Sequence, residues 1–177
     1  MQRRYRRPET MELLIIRHAI AFEHDRHRWA DDDARSLSPI GVKRSRKAAA
    51  GLKELCKVPD RLLTSPLTRA RETAKILTEV AGWPPAEIAP ELAPGKGAVA
   101  VLTLLGGHRS KRIAIVGHQP DLSALLTACL LKDGSDLPIE IKKNAVACLS
   151  FVGRARVGRA ALKWLATPRM LRGFRNR

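Results

Sequence analysis

The chain has 177 residues, 45% of them hydrophobic, which suits one domain with one ordinary core and leaves too little for two. Its three cysteines, Cys56, Cys129 and Cys148, are widely spaced in apolar stretches, so reduced buried thiols are expected rather than disulfides or structural zinc. The apolar run after the basic N-terminus is broken at once by Arg17 and His18, so neither a signal peptide nor a membrane span is predicted. A cytoplasmic protein is therefore expected.

The formal net charge of +16 is concentrated at the two ends of the chain. Residues 1–10 contribute +3 and residues 154–177 contribute +8, which leaves only +5 between them. The aromatic content of 4% offers little for base stacking, so neither nucleic acid nor a membrane is expected as a partner. We predict a disordered basic leader at 1–10, a single domain at 11–166 and a basic C-terminal tail at 167–177.

The first half of the predicted domain alternates short apolar runs with helical patterns. Leu13–Ile16 is a continuous apolar run, typical of a strand that is buried on both faces. Ser38-Pro39 has the sequence of a helix N-cap and first helical position, and this helix is expected to end near Cys56. A second strand is predicted at Arg61–Thr64, and Ser65-Pro66 repeats the start signal for a second helix.

The second half continues the alternation and closes with two strand-like runs. A Pro-rich connection leads to a helix near Gly97–Leu105, an apolar strand at Ile113–Val116 and a helix at Pro120–Leu131. Val146–Val152 and Ala160–Leu165 are predicted to pair as an antiparallel hairpin. The sequence therefore predicts a three-layer α/β/α fold with a mostly parallel central sheet flanked by helices, and a C-terminal antiparallel hairpin at its edge.

Polar residues follow three of the predicted strands. Arg17 and His18 follow the first, Arg69 lies just beyond the second, and His118 follows the third. Because ligands gather at the carboxyl ends of parallel strands, these side chains are expected to meet at one edge of the sheet. Arg69 also lies in the first turn of its predicted helix, where a cation opposes the helix dipole and a bound anion would offset that repulsion. Each residue alone has an ordinary structural or solvated interpretation.

Two histidines and two arginines with few nearby acids favour phosphoryl transfer over metal-dependent hydrolysis. Arg17, Arg69 and a protonated His118 would hold the negative charge of a phosphoryl group. His18 would act as the nucleophile, because neutral imidazole attacks readily at neutral pH and its phosphoramidate is labile to water. Neither a cofactor nor a metal is expected.

These residues lie in four segments that resemble the histidine phosphatase (phosphoglycerate mutase-like) superfamily, and most closely its small SixA-type phosphohistidine phosphatases. The order and spacing of the segments are specific, although each alone is a weak signal, and the resemblance covers most of the chain. The segments are Leu-Leu-Ile-Ile-Arg17-His18-Ala19, Leu37-Ser38-Pro39-Ile40-Gly41, Ser65-Pro66-Leu67-Thr68-Arg69-Ala70-Arg71-Glu72-Thr73 and Gly117-His118-Gln119-Pro120.

The resemblance implies a role for each of the clustered residues. His18 would be the phosphorylated residue, Arg17 and Arg69 would grip the phosphate, and His118 would contact the same oxygens. The resemblance implies Arg35 as a further phosphate contact in the SixA-type subgroup, and a surface arginine in an acidic loop is an equally good interpretation of it.

The chain departs from the superfamily pattern at two points. Ala19 stands where the usual residue is glycine, which excludes a strongly positive φ beside the nucleophile. The nearest candidate for the general acid that protonates an alcohol leaving group is Glu91, in Pro90-Glu91-Leu92. A phosphohistidine substrate needs little help from such an acid, so weak evidence for Glu91 is compatible with a phosphoramidate substrate.

Three hypotheses of function follow. The first is a metal-independent phosphatase that acts on protein phosphohistidine or, alternatively, on a small phosphorylated metabolite. The second is a metal-dependent hydrolase using His18, His24, His27 or His118 with the acidic run 31–33. The third is a catalytically weak module that binds acidic partners or nucleic acid through the Arg-rich termini. The first is the predicted function.

Overall fold

A six-stranded sheet with helices on both faces forms the part of the chain that the computed structural model describes, residues 9–25 and 27–174. The strands are β1 (Thr10–Arg17), β2 (Arg61–Thr64), β3 (Ala86–Ile88), β4 (Arg112–Gly117), β5 (Val146–Val152) and β6 (Ala160–Ala166). The helices are α1 (Pro39–Leu55), α2 (Thr68–Ala81), α3 (Gly97–Gly107), α4 (Asp121–Leu130) and α5 (Pro168–Gly173), and 3₁₀ helices span Asp32–Ala34 and Pro90–Leu92.

The strand order β3-β2-β4-β1-β5-β6 confirms the predicted fold. The first four strands in that order pair in parallel, whereas β5 pairs antiparallel with β1 and β6 pairs antiparallel with β5. The edge hairpin is thus present, and the carboxyl ends of β1, β2 and β4 lie side by side. No helix among the residues described is long and apolar enough to cross a membrane.

The two faces of the sheet pack against two separate hydrophobic cores. Along β1, Leu13 and Ile15 belong to the core under α3 and α4, whereas Leu14 and Ile16 belong to the core under α1, α2 and α5. All four side chains are almost completely buried, and each such burial stabilises the fold by about 1.5–3 kcal/mol. The continuous apolar run in the sequence therefore reflects burial on both faces.

The starts of α1 and α2 differ although their sequence signals are alike. Ser38 caps α1 as predicted, since its side chain accepts a hydrogen bond from the Gly41 amide at 3.1 Å. Ser65-Pro66, in contrast, does not open α2, which begins at Thr68 without a side-chain cap. The Ser65 amide donates to the Val116 carbonyl at 2.9 Å, so Ser65 extends the pairing of β2 with β4 and the helix starts later.

The predicted C-terminal tail is wrong over most of its length, because residues 168–173 form α5. Thr167 caps this helix, and its Leu171 side chain is 1% exposed in the core beneath α1. Close packing requires Gly51 on α1, where a Cβ would lie 1.7 Å from the Leu171 carbonyl oxygen. Residues 175–177 of the tail lie outside the described part of the chain.

The predicted boundary of the leader also shifts. Residues 1–8 lie outside the described part of the chain, but Thr10 already pairs with Val152 of β5. Glu9 accepts a backbone hydrogen bond from Gly153 at 2.8 Å, so the ordered domain includes Glu9 and Thr10. The sequence did not predict β3, because Ala86–Ile88 lies in the segment that is predicted to be a Pro-rich connection.

Candidate functional site

His18 directly follows β1 at the carboxyl edge of the sheet and is 7% exposed. Its Nδ1 lies 2.7 Å from the Ala19 carbonyl oxygen, which can only accept a hydrogen bond. Nδ1 therefore carries the ring proton, and Nε2 keeps its lone pair. Burial, with smaller contributions from His118, Arg69 and Arg17, lowers the pKa of His18 to about 3. The ring is thus neutral at neutral pH, with Nε2 in its nucleophilic form.

Helix α2 holds the backbone beside His18. The Ala19 amide donates to Thr73 Oγ1 at 2.9 Å, and the Thr73 hydroxyl donates to the Arg69 carbonyl at 2.7 Å. Ala19 is completely buried, and its φ is not among the positive values found in the described chain, so its Cβ is accommodated where glycine is usual. This contact explains why a threonine closes the Ser65–Thr73 motif.

The start of α1 holds the other side of the same loop. The Ile20 carbonyl accepts hydrogen bonds from the Ser38 amide at 3.0 Å and from the Ser38 hydroxyl at 3.2 Å. A Cβ at Gly41 would lie 1.8 Å from the same carbonyl oxygen, which leaves glycine as the residue that fits. The Leu37–Gly41 motif therefore holds the backbone at Ile20, two residues after His18, through hydrogen bonds and close packing.

His118 follows β4 and lies beside His18, with the two ring centroids 5.0 Å apart. Its Nε2 is 2.8 Å from Ser65 Oγ. The buried Ser65 hydroxyl already accepts from the Leu67 amide at 3.3 Å and needs an acceptor for its own proton. This favours donation from Ser65 to His118 Nε2, which places the His118 proton on Nδ1, a buried atom with no partner in the described structure.

The charge of His118 differs from the prediction. Burial, followed by the positive charge of Arg69, lowers the pKa of His118 to about 4, so the ring is neutral in the ligand-free site rather than protonated. A neutral ring with the proton on Nδ1 is still a hydrogen-bond donor. The negative charge of a bound phosphate would also raise this pKa.

In both Arg69 and Arg17, the guanidinium Nη1 donates a hydrogen bond and the Nε–H has no acceptor in the described part of the chain. The Arg69 side chain is 6% exposed, and its Nη1 donates to the Asp32 carbonyl at 2.9 Å and lies 3.2 Å from Asp32 Oδ2. Arg17 Nη1 donates to the Ile141 carbonyl at 2.9 Å. The Nε atoms of both arginines are buried and have no partner among the described residues. Burial lowers the pKa of both groups, which remain cationic.

Asp32 binds both Arg35 and Arg69 and so links Arg35 to the site. The sequence did not predict this role for Asp32. Arg35 Nε donates to Asp32 Oδ1 at 2.7 Å, and Arg35 Nη1 donates to the Phe22 carbonyl at 2.7 Å. The hydrogen bond from Arg35, with lesser contributions from His24 and Arg69, lowers the pKa of Asp32 to about 2. Arg35 is thus an anchored side chain, 15% exposed, rather than a free surface arginine. The i,i+3 spacing of Asp32 and Arg35 was the available signal.

Glu91 lies at the same edge of the sheet but is not brought into contact with the histidines. Its 3₁₀ helix follows β3, where the Ala89 amide donates to the Thr64 carbonyl at 2.8 Å. β3 and β1 are three strand positions apart, roughly 14 Å at the usual spacing. Glu91 is half-buried and makes no hydrogen bond or ion pair within the described part of the chain.

The contacts of the acidic loop do not support the metal-dependent hypothesis. His24 Nδ1 lies 3.0 Å from Asp32 Oδ1, and the carboxylate of Asp32 is already engaged by two arginines. His27 is exposed. Across residues 9–25 and 27–174, no group of three or more His, Cys, Asp or Glu side chains could hold a metal ion.

Together these side chains present the donors and the lone pair that a tetrahedral oxyanion would need. Arg17, Arg69 and His118 present buried donors without partners, and His18 presents a buried lone pair. Charge-assisted hydrogen bonds from guanidinium groups are the strong ones, and arginine grips two oxygens of a phosphate at once. The structure thus brings together four of the six predicted site residues, which are Arg17, His18, Arg69 and His118. Arg35 is linked to Arg69 through their shared partner Asp32.

Comparison with known proteins agrees with this geometry. The family model of the histidine phosphatase superfamily (branch 1) matches residues 13–93. An uncharacterized protein of Picosynechococcus sp. is 38% identical over 115 residues, which cover 63% of this chain and 68% of that protein.

Solved structures extend the similarity beyond residues 13–93. The protein histidine phosphatase SixA, in complex with tungstate, is 25% identical with a TM-score of 0.76, covering 89% of this chain and 97% of that chain. A mycobacterial glucosyl-3-phosphoglycerate phosphatase shares the fold at 18% identity and a TM-score of 0.65, covering 87% of this chain and 97% of that chain. The chain belongs to the histidine phosphatase superfamily and has the fold of its SixA-type members.

Proposed function

We propose that this protein is a metal-independent phosphatase that removes the phosphoryl group from phosphohistidine on a protein, through a covalent phosphohistidine on His18. The observation that carries the proposal is the 2.7 Å hydrogen bond from His18 Nδ1 to the Ala19 carbonyl. It fixes the tautomer in which Nε2 has a free lone pair, next to the donors of Arg17, Arg69 and His118. Membership in a phosphatase superfamily supports the same activity.

In the first step, the Nε2 lone pair of His18 forms a bond to phosphorus as the P–N bond of the substrate breaks. The electrons of that bond go to the leaving imidazole nitrogen, which takes a proton from solvent. Arg17, Arg69 and the Nδ1–H of His118 stabilise the charge on the phosphoryl oxygens. Arg35 acts as a further phosphate contact or holds Asp32, and through it Arg69, in place.

In the second step, a water oxygen forms a bond to phosphorus as the His18 N–P bond breaks. The electrons of that bond return to Nε2, the protons of the water stay on the phosphate or pass to solvent, and inorganic phosphate leaves the site. The positive donors that the transition state needs come from side chains of this chain, so the proposed cycle requires no metal.

The two candidate substrates differ in their leaving group, which is an imidazole in phosphohistidine and an alcohol in a phosphomonoester. No carboxylic acid hydrogen-bonds to His18 or His118 in the described site, and an imidazole leaving group needs little general-acid help. A small phosphomonoester is the second candidate, because Glu91 lies at the same edge of the sheet and an alcohol leaving group benefits from an acid. The fold shared with a phosphatase of a sugar phosphate is compatible with it.

The test is a steady-state comparison with EDTA present. Wild type and His18→Ala are assayed with a phosphohistidine-bearing protein, p-nitrophenyl phosphate and a sugar phosphate, and His27→Ala serves as a matched control because His27 is exposed. We expect the highest kcat/KM for the phosphohistidine protein, its loss in His18→Ala and its retention in His27→Ala. Undiminished activity of His18→Ala would contradict the mechanism.

A second variant assigns the substrate class. Glu91→Gln removes the only acid that we consider as a proton donor and keeps its shape. We expect unchanged kcat/KM for the phosphohistidine protein. A larger kcat/KM for the sugar phosphate than for the phosphohistidine protein in wild type, lost in Glu91→Gln, would instead establish the phosphomonoester alternative.

A further inference from the structure

A basic groove with a volume of about 610 Å³ begins beside Arg17, outside the phosphate site. We use "basic groove" for this cavity and the cations that line it. Glu140 is its one acidic residue. Besides Arg17, the cations in its lining are Arg44, Lys142, Lys143, Arg169 and Arg172.

These cations come from three separate parts of the fold. Arg44 lies on α1, Lys142 and Lys143 precede β5, and Arg169 and Arg172 lie on α5. All except Arg172 are exposed, and none of the five forms an ion pair with a residue that the structure describes. Glu140 offsets one of these charges at most, so the groove keeps a net positive charge. Exposed, unpaired cations of this kind suit an extended acidic surface better than a small ligand.

The basic groove is attached to the phosphate site through the segment before β5. Arg17 Nη1 donates to the Ile141 carbonyl, and the Asn144 amide donates to the Arg17 carbonyl at 3.0 Å. Asn144 Oδ1 accepts from the Ser45 hydroxyl at 3.3 Å, which ties the same segment to α1. Lys143 is exposed as a whole residue, but partial burial of its ammonium, followed by the positive charges of Arg17, Arg35 and Arg69, lowers its pKa, so the ammonium lies within electrostatic reach of these arginines.

We infer that the basic groove binds acidic side chains of a protein substrate, next to the phosphohistidine that enters the site. This inference rests on the proposed function and names a property of its substrate. No aromatic residue lines the groove, so it lacks the stacking surfaces of single-stranded nucleic-acid sites. Each exposed ion pair contributes little, and several together raise the association rate and the affinity.

The test uses short peptides with one central phosphohistidine, flanked by Asp and Glu in one and by Gly and Ser in the other. The groove variant is Arg44→Ser/Lys142→Ser/Arg169→Ser. The matched control is Arg109→Ser/Arg156→Ser/Arg159→Ser, which also lowers the net charge of +16 by three. The control residues are exposed and lie at the opposite, amino edge of the sheet.

We expect wild type to have about a tenfold higher kcat/KM for the acidic peptide than for the neutral one, through KM, and to lose this preference at high salt. The groove variant loses the preference and keeps its kcat/KM for the neutral peptide, whereas the control variant behaves as wild type. Equal kcat/KM for the two peptides in wild type, or equal loss in both variants, would overturn the inference.

A binding measurement separates this inference from the proposed function. Fluorescence anisotropy with the unphosphorylated acidic peptide requires no hydrolysis, and we expect binding by wild type that is lost in the groove variant. If wild type hydrolyses neither phosphopeptide but binds the acidic one in this way, the proposed function fails and the acidic-ligand site remains. Absent binding, or tighter groove-dependent binding of a thymidine oligonucleotide of equal charge, would overturn the inference.

Discussion

In the described part of the chain, the arginine at the amino end of the β1–β4 pair is ion-paired, whereas the arginine at its carboxyl end is not. At the amino end, Arg112 of β4 pairs with Glu12 of β1 in register, with Nε 2.6 Å from the carboxylate. At the carboxyl end, Arg17 faces Gly117 in register and donates to a backbone carbonyl, and its Nε has no partner in the described structure. The amino end is electrostatically complete within the described fold, whereas the carboxyl end keeps a buried donor without a partner.

This comparison predicts its largest effect for two matched Arg→Lys variants. Arg17→Lys keeps the charge but loses the planar fork, and removal of one preorganised donor costs about 10²–10³-fold in kcat/KM. Arg112→Lys changes the same residue type at the amino end, and we expect kcat/KM to stay close to wild type. Steady-state kinetics with a phosphohistidine protein measures both, and equal losses would contradict the division between the two ends.

A packing change tests how the fold positions the nucleophile. Gly41→Ala introduces a Cβ 1.8 Å from the Ile20 carbonyl oxygen, so α1 or the His18 loop must shift. We expect about 1–3 kcal/mol of lost stability, the usual cost of overpacking, together with reduced kcat. The control is Gly107→Ala on α3, where a Cβ meets nothing within 4 Å. Urea unfolding and kinetics measure the pair, and a neutral Gly41→Ala would contradict the close approach.

The buried histidines predict a pH dependence of stability. His18 and His118 have pKa values of about 3 and about 4 in the folded protein, below the value of about 6.5 in the unfolded chain. Between these values the unfolded state binds more protons, so stability is complete above about pH 6.5 and decreases as the pH falls toward 4. The slope approaches about 1.4 kcal/mol per pH unit for each histidine.

The same pH series is repeated with His18→Gln, which cannot titrate. We expect a shallower decrease of the free energy of unfolding between about pH 6.5 and pH 4 than in wild type. Asp32, with its pKa lowered to about 2, acts in the same direction only at more acidic pH. Identical slopes for wild type and His18→Gln would show that His18 titrates normally in the folded protein.

The smallest effect is expected for the hydrogen bond between α2 and the His18 loop. Thr73→Val leaves the buried Ala19 amide without its acceptor, which costs about 1 kcal/mol or more and lowers kcat through misplacement of His18. Thr78→Val removes a hydroxyl from the same helix, where it bonds the Ala74 and Pro84 carbonyls. A loss of kcat only in Thr73→Val is the predicted result, and equal kcat in both would contradict it.

Much of the fold followed from the sequence because its signals are local. Leu13–Ile16 is apolar at every position since both faces are buried, and Ser38-Pro39 caps and starts α1 as its sequence predicts. The clustering of Arg17, His18, Arg69 and His118 followed from their positions after parallel strands.

What the sequence could not predict depends on contacts between distant segments. Ser65 resembles a helix cap but bonds His118, and α5 in an Arg-rich segment is held by the packing of Leu171 next to Gly51. The neutral state of His118 requires knowledge of its burial. Asp32 showed no local sign that it would bind Arg69, which is 37 residues away.

The most direct test of the account is identification of the phosphorylated residue during turnover. Enzyme is mixed with a radiolabelled phosphohistidine protein, quenched rapidly in alkali, digested and mapped by mass spectrometry. We predict an acid-labile, alkali-stable phosphoryl group on His18, absent in His18→Gln. A phosphoryl group on another residue, or turnover by His18→Gln at the wild-type rate, would contradict it.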